Sequence, residues 1–229
     1  MSYRTDMNAK LLSVNVGRAF TAPYTSAEGG TGIDKRPVAG PVAVAAPGPK
    51  GIGGSGLAGD AVVDRRHHGG DDQAVYAYAR EDLDDWQRQL DRTLPNGVFG
   101  ENLTTTGLDV TDARVGERWR VGPEVLLEVT CPRIPCRTFQ GWLDERGWIK
   151  RFTAAATPGA YLRVLQPGEI RVGDPVRVEH RPDHDVTVAL MFRALTTRRE
   201  LLPRLLEAGD PLPAEARATV LKHRARTAN

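Results

Sequence analysis

The segment 130–136, Thr-Cys-Pro-Arg-Ile-Pro-Cys, holds both cysteines of the chain and two prolines. Proline fixes its own backbone angle and disfavours helix in the residue before it, so Cys136 should end a strand in a stiff, extended frame. Arg133 and Arg137 are its neighbours in the sequence, and positive charge stabilises a thiolate and attracts anions. A rigid thiol ligand is one interpretation of Cys136, and an inert buried thiol or a disulfide with Cys131 are the others. The spacing of the two cysteines, with no second pair, disfavours a structural zinc site.

Two adjacent histidines occur in the polar segment 65–72, RRHHGGDD. Successive side chains of an extended segment point in opposite directions, so the pair is poorly placed to bind one metal together. A single histidine followed by two glycines and a helix N-terminus would form an anion site with a proton donor. A turn that caps a helix at Asp71 or Asp72 is the alternative. We expect His68 to face the site, and His67 would replace it if the strand register shifted by one residue.

Two further segments are rich in polar residues or in glycine. Segment 99–107, FGENLTTTG, places Asn102 and Thr104 at the start of a predicted strand. Their side chains could either contact a ligand or cap a turn, and the sequence does not distinguish the two roles. The run from Pro47 to Asp60 contains G-x-G-x-x-G, but the residues after it predict a strand, whereas a dinucleotide fingerprint needs a helix there. The run, which includes Lys50, is then either a flexible loop or an anion-binding lid.

Short stretches of alternating apolar residues predict the strands that would position these groups. Many short strands separated by turn signals indicate a mainly β fold with helices, of the α+β class, built on a barrel or sandwich. Helical spacing follows Asp72 and ends at Pro95, and a shorter helix is expected in 141–155. The predicted strands are Lys10–Val16, Pro41–Ala46, Asp60–Asp64, Glu101–Thr105, Arg118–Val121, Val125–Cys131, Ala160–Gln166 and Pro175–His180.

The composition changes beyond His184, where three short helices are predicted at Thr187–Leu195, Thr197–Ala208 and Pro213–Arg226. We therefore divide the chain into a barrel domain, residues 1–183, and a C-terminal three-helix unit, residues 184–229. The leucines of this unit are expected to pack against the barrel or against a second copy of the chain.

Composition and charge argue against several classes of protein. The 31 Lys and Arg against 29 Asp and Glu give a net charge of +2, which disfavours nucleic acid or membrane surfaces as partners. No apolar run reaches the roughly 18 residues of a membrane span, and Met1–Asp6 lacks the apolar stretch of an export signal. The two cysteines fit a reducing compartment, so a cytoplasmic protein is expected.

Several short motifs occur in one order along the chain and together resemble the MOSC-domain family, in its YiiM-like branch. The resemblance runs from Asn8 to the end of the chain, including the C-terminal helices. It implies a distorted closed β-barrel with a pocket for the molybdenum cofactor, a pterin that carries a dithiolene and a phosphate. Cys131 stands where relatives commonly carry Gln, and the glycine-rich run is longer than the family pattern. The motifs are KRPV at Lys35–Val38, GD at Gly59–Asp60, HGG at His68–Gly70, AVY at Ala74–Tyr76, FGENLTT at Phe99–Thr105 and PRIPC at Pro132–Cys136.

The resemblance also implies roles for individual residues. The family's metal-ligating cysteine falls on Cys136, and its pocket histidine and asparagine fall on His68 and Asn102. His68 would supply or relay a proton, and Asn102 would orient an oxo group or the substrate. The expected cofactor contacts are Lys35, Arg133, Arg65, Lys50 and Thr104.

The reaction implied by the resemblance is the reduction of small N-hydroxylated compounds, such as hydroxylaminopurines or amidoximes, to amines. Two cysteines cannot hold a four-thiolate cluster and no nucleotide fingerprint is present, so the electrons would come from an external flavoprotein or iron–sulfur protein. The alternative is a carrier that holds the cofactor, or a persulfide on Cys136, without turnover. Association into a homodimer is left open.

Overall fold

The computed structural model describes residues 9–25 and 29–227, so the sequence prediction for Met1–Asp6 lies outside the described residues. The fold is of the predicted α+β class and is dominated by one large sheet. The strands are β1 Lys10–Gly17, β2 Lys35–Pro37, β3 Val42–Val44, β4 Val75–Ala79, β5 Leu103–Thr106, β6 Arg118–Val121, β7 Val125–Pro132, β8 Ala160–Gln166, β9 Gly168–Ile170 and β10 Val176–His180. The α-helices are α1 Arg80–Leu90, α2 Arg137–Leu143, α3 Trp148–Ala155, α4 Val188–Thr196 and α5 Ala214–Thr227, and 3-10 helices cover Asp71–Gln73 and Arg199–Ala208.

The large sheet has eight strands in the order β10-β6-β7-β8-β4-β5-β1-β2, and β3 pairs with β9 in a small second sheet. The β4–β5 pair is parallel, and the other ladders between these described strands are antiparallel. Strand β1 returns to the far end of the sheet through a single bridge between Lys10 and Pro175. The closure that the resemblance implied is therefore incomplete.

Two sequence predictions were wrong at the edge of the site. Residues 60–64 form no strand, because Asp60 turns inward to bind side chains instead of joining a ladder. The helix expected after Asp72 begins only at Arg80, and the residues before it form strand β4. All five residues of β4, Val-Tyr-Ala-Tyr-Ala, are buried. A short apolar run of this kind does not distinguish a helix from a strand that is covered on both faces.

An aromatic cluster packs between α1, α2, α3 and the sheet. Trp86, Phe99, Phe139, Trp148 and Phe152 are each at most 2% exposed, and neighbouring ring centroids lie 4.7–6.2 Å apart. Most of these pairs are edge-to-face, the arrangement that ring quadrupoles favour. The cluster holds α2 in a fixed position, and it therefore also positions Cys136, the residue before α2.

The C-terminal segments α4, 199–208 and α5 form a second apolar cluster that includes Met191, Leu202 and Leu205. Arg163 of β8 joins this unit to the sheet, because its guanidinium donates to Asp72 Oδ1 at 2.5 Å and to the Pro211 carbonyl oxygen at 3.2 Å. The division into two domains stays a prediction. Among the described helices, none is long and apolar enough to cross a membrane.

Candidate functional site

A cavity of about 460 Å³ opens where β7 ends and the loops before β2, β4 and β5 meet. Cys136, His68 and Asn102, which lie far apart in the sequence, all line it. Lys35 and Arg133 line it as well. The fold therefore brings five of the eight predicted site residues to one cavity.

Cys136 does not end a strand as predicted, because β7 already stops at Pro132 and a proline cannot donate to a longer ladder. It is the last residue before α2, and its backbone is extended (φ −132°, ψ 171°). Its thiol is free, and so is that of Cys131. Cys131 packs against the C-terminal cluster, and its Sγ lies 4.0 Å from the Asp72 carbonyl oxygen. Burial raises the pKa of Cys131 to about 11, which keeps that thiol protonated at neutral pH. The disulfide considered from the sequence is not formed.

Arg133 is a buried cation, 7% exposed, in the wall of the cavity. One of its Nη atoms donates to the Phe99 carbonyl oxygen, and its guanidinium lies 4.0 Å from the ring centroid of Phe139 and 5.3 Å from that of Tyr76. Among the described residues, no carboxylate forms a salt bridge with it. A buried charge without a counter-charge is unfavourable. The cavity next to Arg133 is therefore suited to an anion.

Both histidines line the cavity, but their surroundings differ. His67 is 67% exposed, and its Nδ1 lies 3.0 Å from Asp64 Oδ2. His68 is more buried, and this burial, reinforced by the positive charge of Arg133, lowers the pKa of its imidazole to about 4. At neutral pH the His68 ring is uncharged and offers one hydrogen-bond donor and one acceptor. The choice of His68 over His67 stays a prediction, and the burial of His68 supports it.

Asn102 is held by the protein through both ends of its amide. Its Oδ1 accepts from the Tyr76 N–H at 3.1 Å, and its Nδ2 donates to Asp60 Oδ2 at 2.9 Å and to the Asn15 carbonyl oxygen at 3.3 Å. Both amide hydrogens are thus used, so a ligand finds only the second lone pair of Oδ1. The main role of Asn102 in the cavity wall is therefore structural, because its hydrogen bonds join β1, β4 and the segment before β5.

Lys35 and Asp60 form a close ion pair in the cavity wall, with side chains 8% and 0% exposed. Asp60 Oδ1 also accepts from the Gly17 N–H at 2.8 Å, while its Oδ2 takes the Asn102 amide. Burial lowers the pKa of Lys35, and the charge of Asp60 opposes that effect. Lys35 is therefore already neutralised by the protein, unlike Arg133.

Three predicted contacts, Arg65, Lys50 and Thr104, do not line the cavity. The Arg65 guanidinium donates to the Ile52 carbonyl oxygen at 3.1 Å, and Lys50 Nζ lies 2.9 Å from Glu215 Oε2 on α5. Thr104 is buried and donates to Glu101 Oε1 at 2.9 Å. Each of the three is engaged in structural contacts outside the cavity.

The glycine-rich run packs directly against the segment that carries His68. The Gly70 N–H donates to the carbonyl oxygens of Gly53 and Gly54, each at 3.1 Å. Gly70 has φ 77°, and a Cβ atom there would lie 2.7 Å from the backbone of Lys50. These glycines thus permit two loops to touch, and through that contact they fix the position of His68.

Sequence reasoning assigned no role to Tyr161 of β8, which also lines the cavity. Its ring centroid is 4.9 Å from that of Tyr76, and burial raises the pKa of its phenol to about 12. Asp60 was noted only as part of a motif, although it organises both Lys35 and Asn102. Neither residue gave a distinct sequence signal, since an isolated tyrosine in a strand and an acid after glycine are both common.

Comparison with known proteins finds that the MOSC domain model matches residues 64–177. The Bacillus subtilis protein YflK, described as uncharacterized, is 30% identical over 183 residues, covering 80% of this chain and 79% of YflK. A protein named "Reductase" from Gibberella moniliformis is 30% identical over 165 residues, which span only 29% of that protein's length. The crystal structure of YiiM from Geobacillus stearothermophilus superposes with a TM-score of 0.74 at 29% identity, covering 93% of this chain and 98% of that one.

Proposed function

Because the chain belongs to the MOSC domain family, we propose that its cavity binds the molybdenum cofactor and that the loaded protein reduces N-hydroxylated compounds to amines. MOSC domains are associated with this cofactor. The observation that carries the proposal is the presence in one cavity of a free thiol, Cys136, and of the buried cation Arg133, which has no carboxylate partner among the described residues. The reductase name of one relative also supports it.

The residues present fit the cofactor. Cys136 offers one soft sulfur ligand, which suits a metal that already carries sulfur ligands from the pterin. Arg133 provides the positive charge that an anionic cofactor requires. A cavity of about 460 Å³ lies within the size range of ligand pockets. Lys35, whose charge Asp60 balances, is a weaker candidate for the phosphate than Arg133.

The overall reaction is R–NHOH + 2e⁻ + 2H⁺ → R–NH₂ + H₂O. When bound, the cofactor supplies the two-electron redox chemistry, and a flavoprotein or iron–sulfur protein supplies the electrons to it. Cys136 would hold the metal, and Arg133 would neutralise negative charge of the cofactor. His68, uncharged at neutral pH, hydrogen-bonds the substrate's N–OH group, and Asn102 keeps the surrounding strands in place.

The test compares the metal and pterin content of the wild type, Cys136→Ala and the matched control Cys131→Ala, all purified from a cofactor-producing host. We expect near-stoichiometric molybdenum in the wild type and in Cys131→Ala, and its loss in Cys136→Ala. Absence of molybdenum and pterin from all three, with no uptake of added cofactor, would refute cofactor binding.

Turnover is tested on the loaded wild type with an amidoxime, an artificial electron donor and detection of the amidine. The expected result is amidine formation that Cys136→Ala does not support. A protein that carries the cofactor but reduces neither amidoximes nor hydroxylaminopurines would instead be a carrier. The half-buried thiol of Cys136, open to the cavity, is the feature that a carrier would use.

A further inference from the structure

The proposed reaction consumes two protons, and the cavity wall holds few groups that can give one up near neutral pH. The imidazole of His68, with its pKa lowered to about 4 by burial, carries no acidic proton there. The phenol of Tyr161, with its pKa raised to about 12 by burial, holds its proton tightly. Arg133 does not deprotonate in proteins. His67 also lines the cavity, but its ring is 67% exposed and paired with Asp64, so the fold does not hold it against a bound substrate. The proton donor expected from the sequence, His68, is therefore in the wrong protonation state at neutral pH.

Lys35 differs from these groups in its position and in its partners. It lines the cavity and is nearly buried, and its Nζ is held against Asp60 Oδ1. Asp60 is itself fixed by the Gly17 N–H and the Asn102 amide, so the pair has one defined geometry. An ammonium group carries three protons, and Asp60 occupies only one of them.

The groups around Lys35 shift its pKa in opposite directions. Asp60 and Glu101 favour its ammonium form, whereas Arg133 and burial favour the neutral amine. The sum leaves the pKa of Lys35 below its ordinary value. Lys35 therefore releases a proton more readily than a surface lysine, and a general acid requires this property.

We propose that Lys35 is the catalytic acid of this cavity and delivers a proton from Nζ to the substrate's hydroxyl oxygen as the N–O bond breaks. The inference rests on the proposed function. The oxygen leaves as water, the two electrons are supplied by the external flavin or iron–sulfur donor, and the second proton, which the nitrogen receives, comes from solvent. Solvent entering at the cavity mouth then reprotonates the amine, and Asp60 holds Nζ in place throughout.

The variant Lys35→Arg tests this idea because arginine keeps the positive charge but does not release a proton. We expect it to retain molybdenum and to bind substrate with a KM within about threefold of the wild type, while kcat falls by about a hundredfold. Lys150→Arg, a change at an exposed lysine of α3, is the matched control and should keep the wild-type kcat.

Two further readouts separate catalysis from a structural role. The wild-type kcat should decline as the pH rises through the pKa of Lys35, and Asp60→Asn, which removes the charge that opposes the lowering of this pKa, should move the decline to lower pH. In the protein without cofactor, the lysine Nζ NMR signal that is missing from Lys35→Arg should titrate below the ordinary value of about 10.4. This second measurement does not depend on activity.

The outcomes distinguish the two proposals. If the wild type carries no cofactor or reduces no N-hydroxylated compound, the proposed function fails, and the role of Lys35 fails with it. If the wild type is active and Lys35→Arg keeps its kcat, only the catalytic acid is wrong. If Lys35→Arg loses molybdenum while the wild type retains it, Lys35 is a cofactor ligand, which also overturns its role as the acid.

Discussion

The partly buried imidazole of His68 should make the stability of this protein depend on pH. A histidine whose pKa is lowered in the folded state binds fewer protons there than in the unfolded chain. Above pH 6.5, the pKa of His68 in the unfolded chain, the free energy of unfolding is unaffected by this histidine. It decreases as the pH falls from 6.5 towards about 4, the pKa of His68 in the folded protein. We therefore expect His68→Asn, which removes the titrating ring, to be less sensitive to acid than the wild type.

The magnitude follows from the two pKa values. With 6.5 in the unfolded and about 4 in the folded chain, the His68 contribution changes by about 2 kcal/mol between pH 7.5 and pH 5. Asp82 works in the opposite direction, since burial raises its pKa to about 6. Because Asp82 is present in both proteins, its effect cancels when the pH-dependent change in the wild type is compared with that in the variant.

The assay is urea unfolding at both pH values, with free energies taken by linear extrapolation. The wild type should lose about 2 kcal/mol more than His68→Asn between pH 7.5 and pH 5. His67→Asn is the matched control, because His67 is 67% exposed, and it should behave like the wild type. The reasoning is refuted if His68→Asn loses as much stability as the wild type, or if His67→Asn abolishes the difference.

Three other substitutions probe the cavity wall. Arg133→Met should lower the molybdenum content of purified protein at least tenfold, measured by elemental analysis, because the anion loses its buried counter-charge; unchanged content would contradict this role. Asn102→Leu should destabilise the protein by about 3 kcal/mol in urea unfolding, since it leaves the Tyr76 N–H and an Asp60 oxygen without their partner. A loss below about 1 kcal/mol would show that water replaces the amide. Gly70→Ala should lower the free energy of unfolding by more than about 1 kcal/mol in the same assay, because Gly70 has φ 77° and the added methyl group would lie 2.7 Å from the backbone of Lys50. An unchanged stability would mean that the loop moves to accommodate the methyl group.

Local chemistry made several features of the site predictable from the sequence. Pro132 and Pro135 fix their own backbone angles and disfavour helix in the residue before each, so the segment leading to Cys136 should not be helical, and α2 begins only at Arg137. Short strands with turn residues between them implied an α+β fold, which the large sheet confirms. The motif resemblance led to the MOSC family, which the comparisons confirm.

Other predictions failed because they depended on contacts between distant segments. Strand β4 was taken for helix, since its five apolar residues show no alternation when both faces are covered. Lys50 and Arg65 are cations near the motifs in sequence, yet Lys50 pairs with Glu215, 165 positions away, and Arg65 donates to a loop carbonyl.

The sequence by itself thus determined the non-helical segment before Cys136, the fold class and the family, because these depend on neighbouring residues and on motif order. Only the tertiary structure decided which charges meet. It pairs Lys35 with Asp60, leaves Arg133 without a carboxylate among the described residues, and buries His68 so that it is uncharged at neutral pH. Charge balance and desolvation depend on which groups fold together in space, and spacing along the chain carries no such information.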